Sequence, residues 1–139
     1  MLGGVEVPFE RGLNGWSDAD VLTHAIMDAL LGAAALGDIG RHFPPGDPQY
    51  KGISSLTLLA KVKGMLEENG WQVNNVDATV VAEQPRLSEY INKMREKLCQ
   101  TLGIGMEQVS VKASTSDGLG FTGRGEGMAA FAVVTLKEK

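Results

Sequence analysis

Between Ser17 and Gly40 the apolar residues Val21, Leu22, Ala25, Ile26, Ala29 and Leu30 fall on a 3.6-residue period, which predicts one amphipathic helix. Its other side carries Asp20, His24 and Asp28 at intervals of four, so acid, imidazole and acid form a single polar stripe. Ser17 can accept from the backbone N–H of Asp20, whose carboxylate can reach back, and Gly37-Asp38 supplies a stop. The same period returns in Leu56, Leu59, Ala60 and Leu66, predicting a helix over 54–69 closed by Gly70. It returns again in Ile91, Met94, Leu98 and Leu102, closed by Gly103.

Elsewhere the pattern alternates. Val5, Val7 and Phe9 predict a short strand, with Pro8 marking an edge or an end. Val76, Ala78, Val80 and Ala82 predict a strand that Pro85 terminates, and Val109, Val111 and Ala113 a further one. The last segment, 128–136, is apolar on both faces, which predicts a central strand covered on each side. Between 38 and 48 three prolines and two glycines exclude regular structure and favour a shaped surface loop. The predicted order is strand, helix, helix, strand, helix, strand, strand. It suits an α/β (α+β) two-layer sandwich, a small mixed sheet with helices on one side. The uncovered sheet face then needs a partner, and contact with another subunit is the economical one.

At 139 residues the chain fits a single domain over 1–139, with no internal repeat or linker. A net charge of −4 and scattered basic residues argue against a nucleic-acid surface. No apolar run reaches the length of a membrane span and no leader precedes the first strand, so the expected location is cytoplasmic. The lone Cys99 has no internal disulfide partner and reads as a buried or half-buried thiol in a reducing compartment.

Candidate chemistry gathers at four places. Neutral His24 can ligate a metal through one ring nitrogen, oriented or joined by Asp20 or Asp28, yet a zinc site needs three or four protein ligands. A satisfied boundary histidine is the alternative, and His42, among prolines, reads as a surface residue. Ser114, Thr115, Ser116 and Asp117, beside Lys112, place hydroxyls at a strand end where a phosphate can bind, unless they form a plain capped turn. The strand-end run 82–87 can offer backbone groups to a base edge and Arg86 to a phosphate, or be an ordinary turn. The run 118–127 matches G-x-G-x-x-G, but a strand follows it, so it reads as a glycine loop between strands. Arg124 and Glu126 within it suit an ion pair or a ligand site.

Taken together and in order, these segments resemble the 2-C-methyl-D-erythritol 2,4-cyclodiphosphate synthase family of non-mevalonate isoprenoid synthesis. The resemblance runs from Leu2-Gly-Gly-Val-Glu-Val-Pro8 through Ser17-Asp-Ala-Asp20, His24, Asp28, Gly37-Asp-Ile-Gly40 and Phe43-Pro44 to Lys112-Ala-Ser-Thr115 and Gly120-Phe-Thr-Gly-Arg-Gly-Glu-Gly127. It implies a phosphorus–oxygen lyase that assembles as a homotrimer with active sites between subunits. In that reaction the 2-phosphate of 4-diphosphocytidyl-2-C-methyl-D-erythritol 2-phosphate attacks the β-phosphorus of its own diphosphate and expels CMP. Positioning and charge neutralisation then dominate catalysis.

By the same resemblance His24 matches a zinc ligand, while Asp28, from its spacing, is a candidate to orient it. Trp16 and Ser17 match substrate-contacting positions, Asp38, Ile39 and Gly40 the segment that binds the methylerythritol hydroxyls, and Phe43 to Asp47 the flexible loop beside it. Ala82, Glu83, Gln84, Pro85, Arg86 and Leu87 match the cytidine pocket. Thr115 matches the threonine that stabilises the transferring diphosphate, with Ser114, Ser116 and Asp117 around it and magnesium or manganese bridging the phosphates. Phe121 and Arg124 match the lining of a cavity on the trimer axis that takes an isoprenoid phosphate. Two departures stand out. Family chains begin with a strand bearing an Asp-x-His pair, and this sequence starts after that point, so the expectation is a weakened metal site and an exposed sheet edge. Trp16 also stands where the family often has a histidine, and an indole brings one N–H and no charge. Rival readings are a catalytically impaired trimeric protein binding a nucleotide or isoprenoid phosphate, and a monomeric CDP-binding module.

Overall fold

A computed structural model describes residues 1–8, 20–83, 86–123 and 127–139. In chain order the regular elements are α1 (Val21–Ala33), α2 (Ile39–His42), α3 (Ser55–Glu68), β1 (Trp71–Val81), α4 (Ile91–Leu102), β2 (Val109–Ser114), α5 (Gly120–Gly123) and β3 (Ala129–Glu138). The sheet order is β2-β1-β3. β1 runs parallel to β2, with Ala78 opposite Val111, and antiparallel to β3, with Ala78 opposite Ala132. The result is the expected small mixed sheet with helices packed on one face.

The core lies between the layers. Leu22, Ile26, Met27, Leu30 and Leu31 of α1 meet Leu59, Val62 and Leu66 of α3, Met94, Leu98 and Leu102 of α4, and Val76, Ala78 and Val80 of β1. Each fully buried leucine contributes about 2 kcal/mol over its exposed state.

The predicted helices over 54–69 and 91–102 form as read. Ser54 caps α3 by accepting from the Leu56 N–H, and Gly103, at φ +68°, ends α4 in the left-handed conformation. The first helix differs at both ends. Its N-cap is Asp20, not Ser17, which lies outside the described residues. It stops at Ala33 because Ala35 turns left-handed at φ +58° and sends the Leu36 N–H to the Leu31 carbonyl, a Schellman closure well before Gly37.

Three further expectations are corrected. Residues 5–8 form no strand, since Leu2 and Val5 bond to each other across the Gly3-Gly4 turn. The segment 38–48 is not free of regular structure: Asp38 caps the one-turn α2, and Pro48–Tyr50 make a 3₁₀ turn. β3 is not central. Among the described residues it pairs only with β1, and its outward side chains Phe131 and Val133 are 64% and 70% exposed. Alternation of apolar residues reports which faces are apolar, and only pairing tells which strand is in the middle. No helix among the described residues is long and apolar enough to cross a membrane.

Candidate active site

Asp20 leaves the polar stripe altogether. Its carboxylate is fully buried and accepts from the backbone N–H groups of Gly3, Gly4 and Thr23 and from the Thr23 hydroxyl, at 2.7–2.9 Å. It fastens the N-terminal turn to α1. Asp28 likewise does not orient His24 through any bond shown; its Oδ1 accepts from the Ile39 N–H at 2.9 Å. That bond ties the start of α2 to α1, while Asp38 caps α2 by accepting from the Arg41 N–H.

That anchoring builds one cavity. His24, Ile39, Gly40, Phe43, Pro45, Tyr50 and Leu58 enclose about 260 Å³. Tyr50 meets Phe43 edge to face at 5.3 Å, and His24 Nε2 lies 3.1 Å from Ser55 Oγ at the start of α3. Of the predicted residues, Ile39, Gly40 and Phe43 line the cavity with His24. Asp38 shapes it as a cap. Asp47 does not line it: its carboxylate accepts from the Gln49 backbone and side-chain N–H groups. Pro45 falls within the predicted loop from Phe43 to Asp47, whereas Tyr50 and Leu58 carry no sequence signal of a site on their own. His42 is half-buried and bonded through Nε2 to the Leu36 carbonyl at 2.7 Å, which makes Nε2 its protonated nitrogen and corrects the surface reading.

A second cavity, about 250 Å³, opens at the carboxyl ends of β1 and β2, lined by Ala82, Glu83, Arg86, Leu87, Ser88, Ala113, Ser114 and Thr115. The parallel pairing brings these ends together, Val81 opposite Ser114, and the Ala82 N–H donates to the Ser114 carbonyl at 2.9 Å. Ligand sites at the carboxyl ends of parallel strands follow from the loops gathered there. The predicted base and phosphate segments therefore share one pocket, with Ser88 and Ala113 added. Arg86 supplies its cation. Lys112 does not, because its ammonium pairs with Asp77 at 2.8 Å on the outer face of the sheet.

Within the turn after β2, Asp117 adopts a left-handed φ of +54° and Gly118 one of +79°. Ser116 is a structural hub: its Oγ donates to the Leu119 carbonyl at 2.6 Å and accepts from Thr122 Oγ1 at 2.9 Å. Gly120–Gly123 form a helical turn, so the glycine run is not wholly a loop. Trp16, Ser17, Gln84, Pro85, Arg124 and Glu126 lie outside the described residues, as does the side chain of Phe121.

Among the described residues no three His, Cys, Asp or Glu side chains converge. Asp20 and Asp28 accept backbone N–H groups away from the imidazole. The described residues therefore do not make a zinc site around His24, and a metal held there would draw its other ligands from elsewhere.

A mixed sheet with helices on one face, one cavity against an imidazole and another at the parallel strand ends together make an α/β domain with room for a small molecule. The chain belongs to the YgbB family, whose model matches residues 1–137. It is 62% identical over 139 residues to a Dehalococcoides mccartyi protein named 2-C-methyl-D-erythritol 2,4-cyclodiphosphate synthase, covering 100% of this chain and 88% of that one. Among solved structures it is similar to the bifunctional IspDF of Campylobacter jejuni, with TM-score 0.95 and 40% identity over 100% of this chain and 38% of that chain. It is also similar to a 2C-methyl-D-erythritol-2,4-cyclodiphosphate synthase in a CDP-bound form, with TM-score 0.90 and 29% identity over 99% and 89%.

Proposed function

We propose that this chain catalyses the reaction after which those relatives are named, turning 4-diphosphocytidyl-2-C-methyl-D-erythritol 2-phosphate into 2-C-methyl-D-erythritol 2,4-cyclodiphosphate and CMP. An oxygen of the 2-phosphate forms a bond to the β-phosphorus. The bond from that phosphorus to the bridging oxygen breaks, and the electron pair leaves with CMP. No proton need move, so the protein's work is to fold the substrate on itself and offset its charge.

The observation that carries this reading is the pair of cavities. They share no lining residue, and each suits one end of such a substrate. The pocket at the strand ends offers backbone groups of 82–87 to the cytosine edge, Arg86 to phosphate and the Thr115 hydroxyl to the diphosphate. The cavity over α2 brings Ile39 and Gly40, with Asp38 beside them at the helix cap, to the methylerythritol part of the substrate. Two half-sites on one chain are joined if the pocket of one subunit abuts the cavity of the next, which is the sense of a homotrimer. The exposed Phe131 and Val133 on the outer sheet face suit burial in that assembly. An isoprenoid phosphate on its axis, near Phe121 and Arg124, and a cytoplasmic setting complete the proposal. By the family resemblance, zinc beside His24 and magnesium or manganese on the diphosphate would help offset the substrate's charge.

The test is to incubate the protein with the diphosphocytidyl substrate, zinc and magnesium, while following CMP and measuring mass in solution. CMP release and a trimer mass are expected. A trimer that binds CDP yet releases no CMP would sink the enzymatic reading.

A further inference from the structure

Glu83 stands in the base-binding run, and its carboxylate reaches the turn after β2. Its Oε1 lies 3.0 Å from the Ser116 N–H, 3.1 Å from the Gly118 N–H and 3.3 Å from Ser116 Oγ. A serine hydroxyl has one hydrogen, and the 2.6 Å contact to the Leu119 carbonyl takes it. Two backbone N–H groups are therefore the real donors to Glu83. They flank Asp117, which is left-handed like Gly118, and the turn so formed brings the two N–H groups to one acceptor.

Ser116 ties the far side of the turn to Leu119 and Thr122, but the Thr115 hydroxyl has no comparably short bond. Thr115 Oγ1 lies 3.4 Å from Asp117 Oδ1 and 3.3 Å from the Asp117 N, both long for hydrogen bonds. Nothing within 115–117 therefore locks the Thr115 hydroxyl. The link through Glu83 spans more than thirty residues, tying the exit of β1 to the exit of β2 on the wall they share. A carboxylate in a pocket for phosphates would otherwise repel its ligand. Engaging one oxygen with two N–H groups draws its charge toward the turn.

We propose that Glu83 is a positioning residue rather than a substrate contact: it clamps the 115–118 turn so that the Thr115 hydroxyl faces the pocket built by the base-binding run. The inference rests on the reading of Thr115 given above. The element that matters is an accepting oxygen at Oε1, not the negative charge, so Glu83→Gln preserves it and Glu83→Ala removes it.

Both variants are compared with the parent protein. In Glu83→Ala, kcat for CMP release is expected to fall about 10- to 100-fold, the scale set by sub-ångström misplacement of a catalytic group. The Kd for CMP should stay within about threefold, because Ala82, Leu87 and Ala113 still wall the pocket. Glu83→Gln should restore kcat to within about threefold of the parent. An unchanged kcat in Glu83→Ala, or a Glu83→Gln as poor as Glu83→Ala, overturns the proposal. Amide hydrogen exchange at Ser116 and Gly118 gives a readout without turnover. It should quicken in Glu83→Ala and return in Glu83→Gln, and equal rates in parent and Glu83→Ala overturn the clamp. Should the parent release no CMP, the proposed reaction fails while the exchange rates still judge the clamp.

Discussion

Oδ2 of Asp20 accepts the Gly4 N–H at 2.7 Å across sixteen residues of chain, while Oδ1 of the same carboxylate accepts the Thr23 N–H that opens α1. One buried side chain is thus both helix cap and anchor of the N-terminal turn. The residue that read as the first member of a chemical stripe is architectural, and it sets the place of α1 from which His24 projects.

Removing that carboxylate should be among the most damaging substitutions away from the cavities. Asp20→Ala loses a cap and leaves the N–H groups of Gly3 and Gly4 without their acceptor in the interior, for an expected loss of about 3 kcal/mol or more. Asp20→Asn keeps one accepting oxygen and should fall between Ala and the parent. Urea unfolding midpoints check the order; equal stability of Asp20→Ala and the parent would refute the anchor.

The two glycines of the turn should not be equivalent. Both have left-handed φ, +56° and +76°, so any Cβ costs about 1–2 kcal/mol in backbone strain alone. At Gly3 the new Cβ would lie 2.8 Å from Met94 Cβ, held close to the α4 backbone, whereas at Gly4 it would lie 2.5 Å from Cδ1 of the half-buried Leu56, a side-chain end that a rotamer change can move aside. Gly3→Ala should therefore be less stable than Gly4→Ala by about 1 kcal/mol, the low end of overpacking costs. Matched urea titrations decide it, and the reverse order would show that the Leu56 side cannot yield.

Cys99 makes stability sensitive to alkali. Burial pushes its thiol above the ordinary value; Arg95 pulls it partly back and Glu107 adds to the rise. The folded state therefore holds the thiol proton more tightly than the unfolded chain. The stability this gives is complete below the ordinary thiol range and is lost as pH rises through it to the folded value. Relative to Cys99→Ala, the parent should lose stability between pH 7 and pH values above the thiol range. A gap between the two proteins that does not change with pH would contradict the burial effect.

What the sequence determined by itself is local. The period of Leu56, Leu59 and Leu66 with Ser54 before it, and that of Ile91 to Leu102 with Gly103 after it, name their helices to within a residue, because propensity, periodicity and cap all act within a turn or two. Alternation named β2 and most of β1, and the strand-end segments 82–87 and 114–117 were picked out before their pairing was known. Tertiary structure decided everything that depends on a distant partner. The acceptor role of Asp20 is visible only once Gly3 and Gly4 are beside it, and the Trp71 end of β1 exists because Glu138 lies opposite. The edge position of β3, the meeting of Tyr50 with Phe43 near His24, and the turn of Glu83 toward Ser116 and Gly118 are likewise pairings across the chain. A residue's type states what it can bond; which group answers is settled by long-range packing, whose hydrogen bonds carry no short-range pattern.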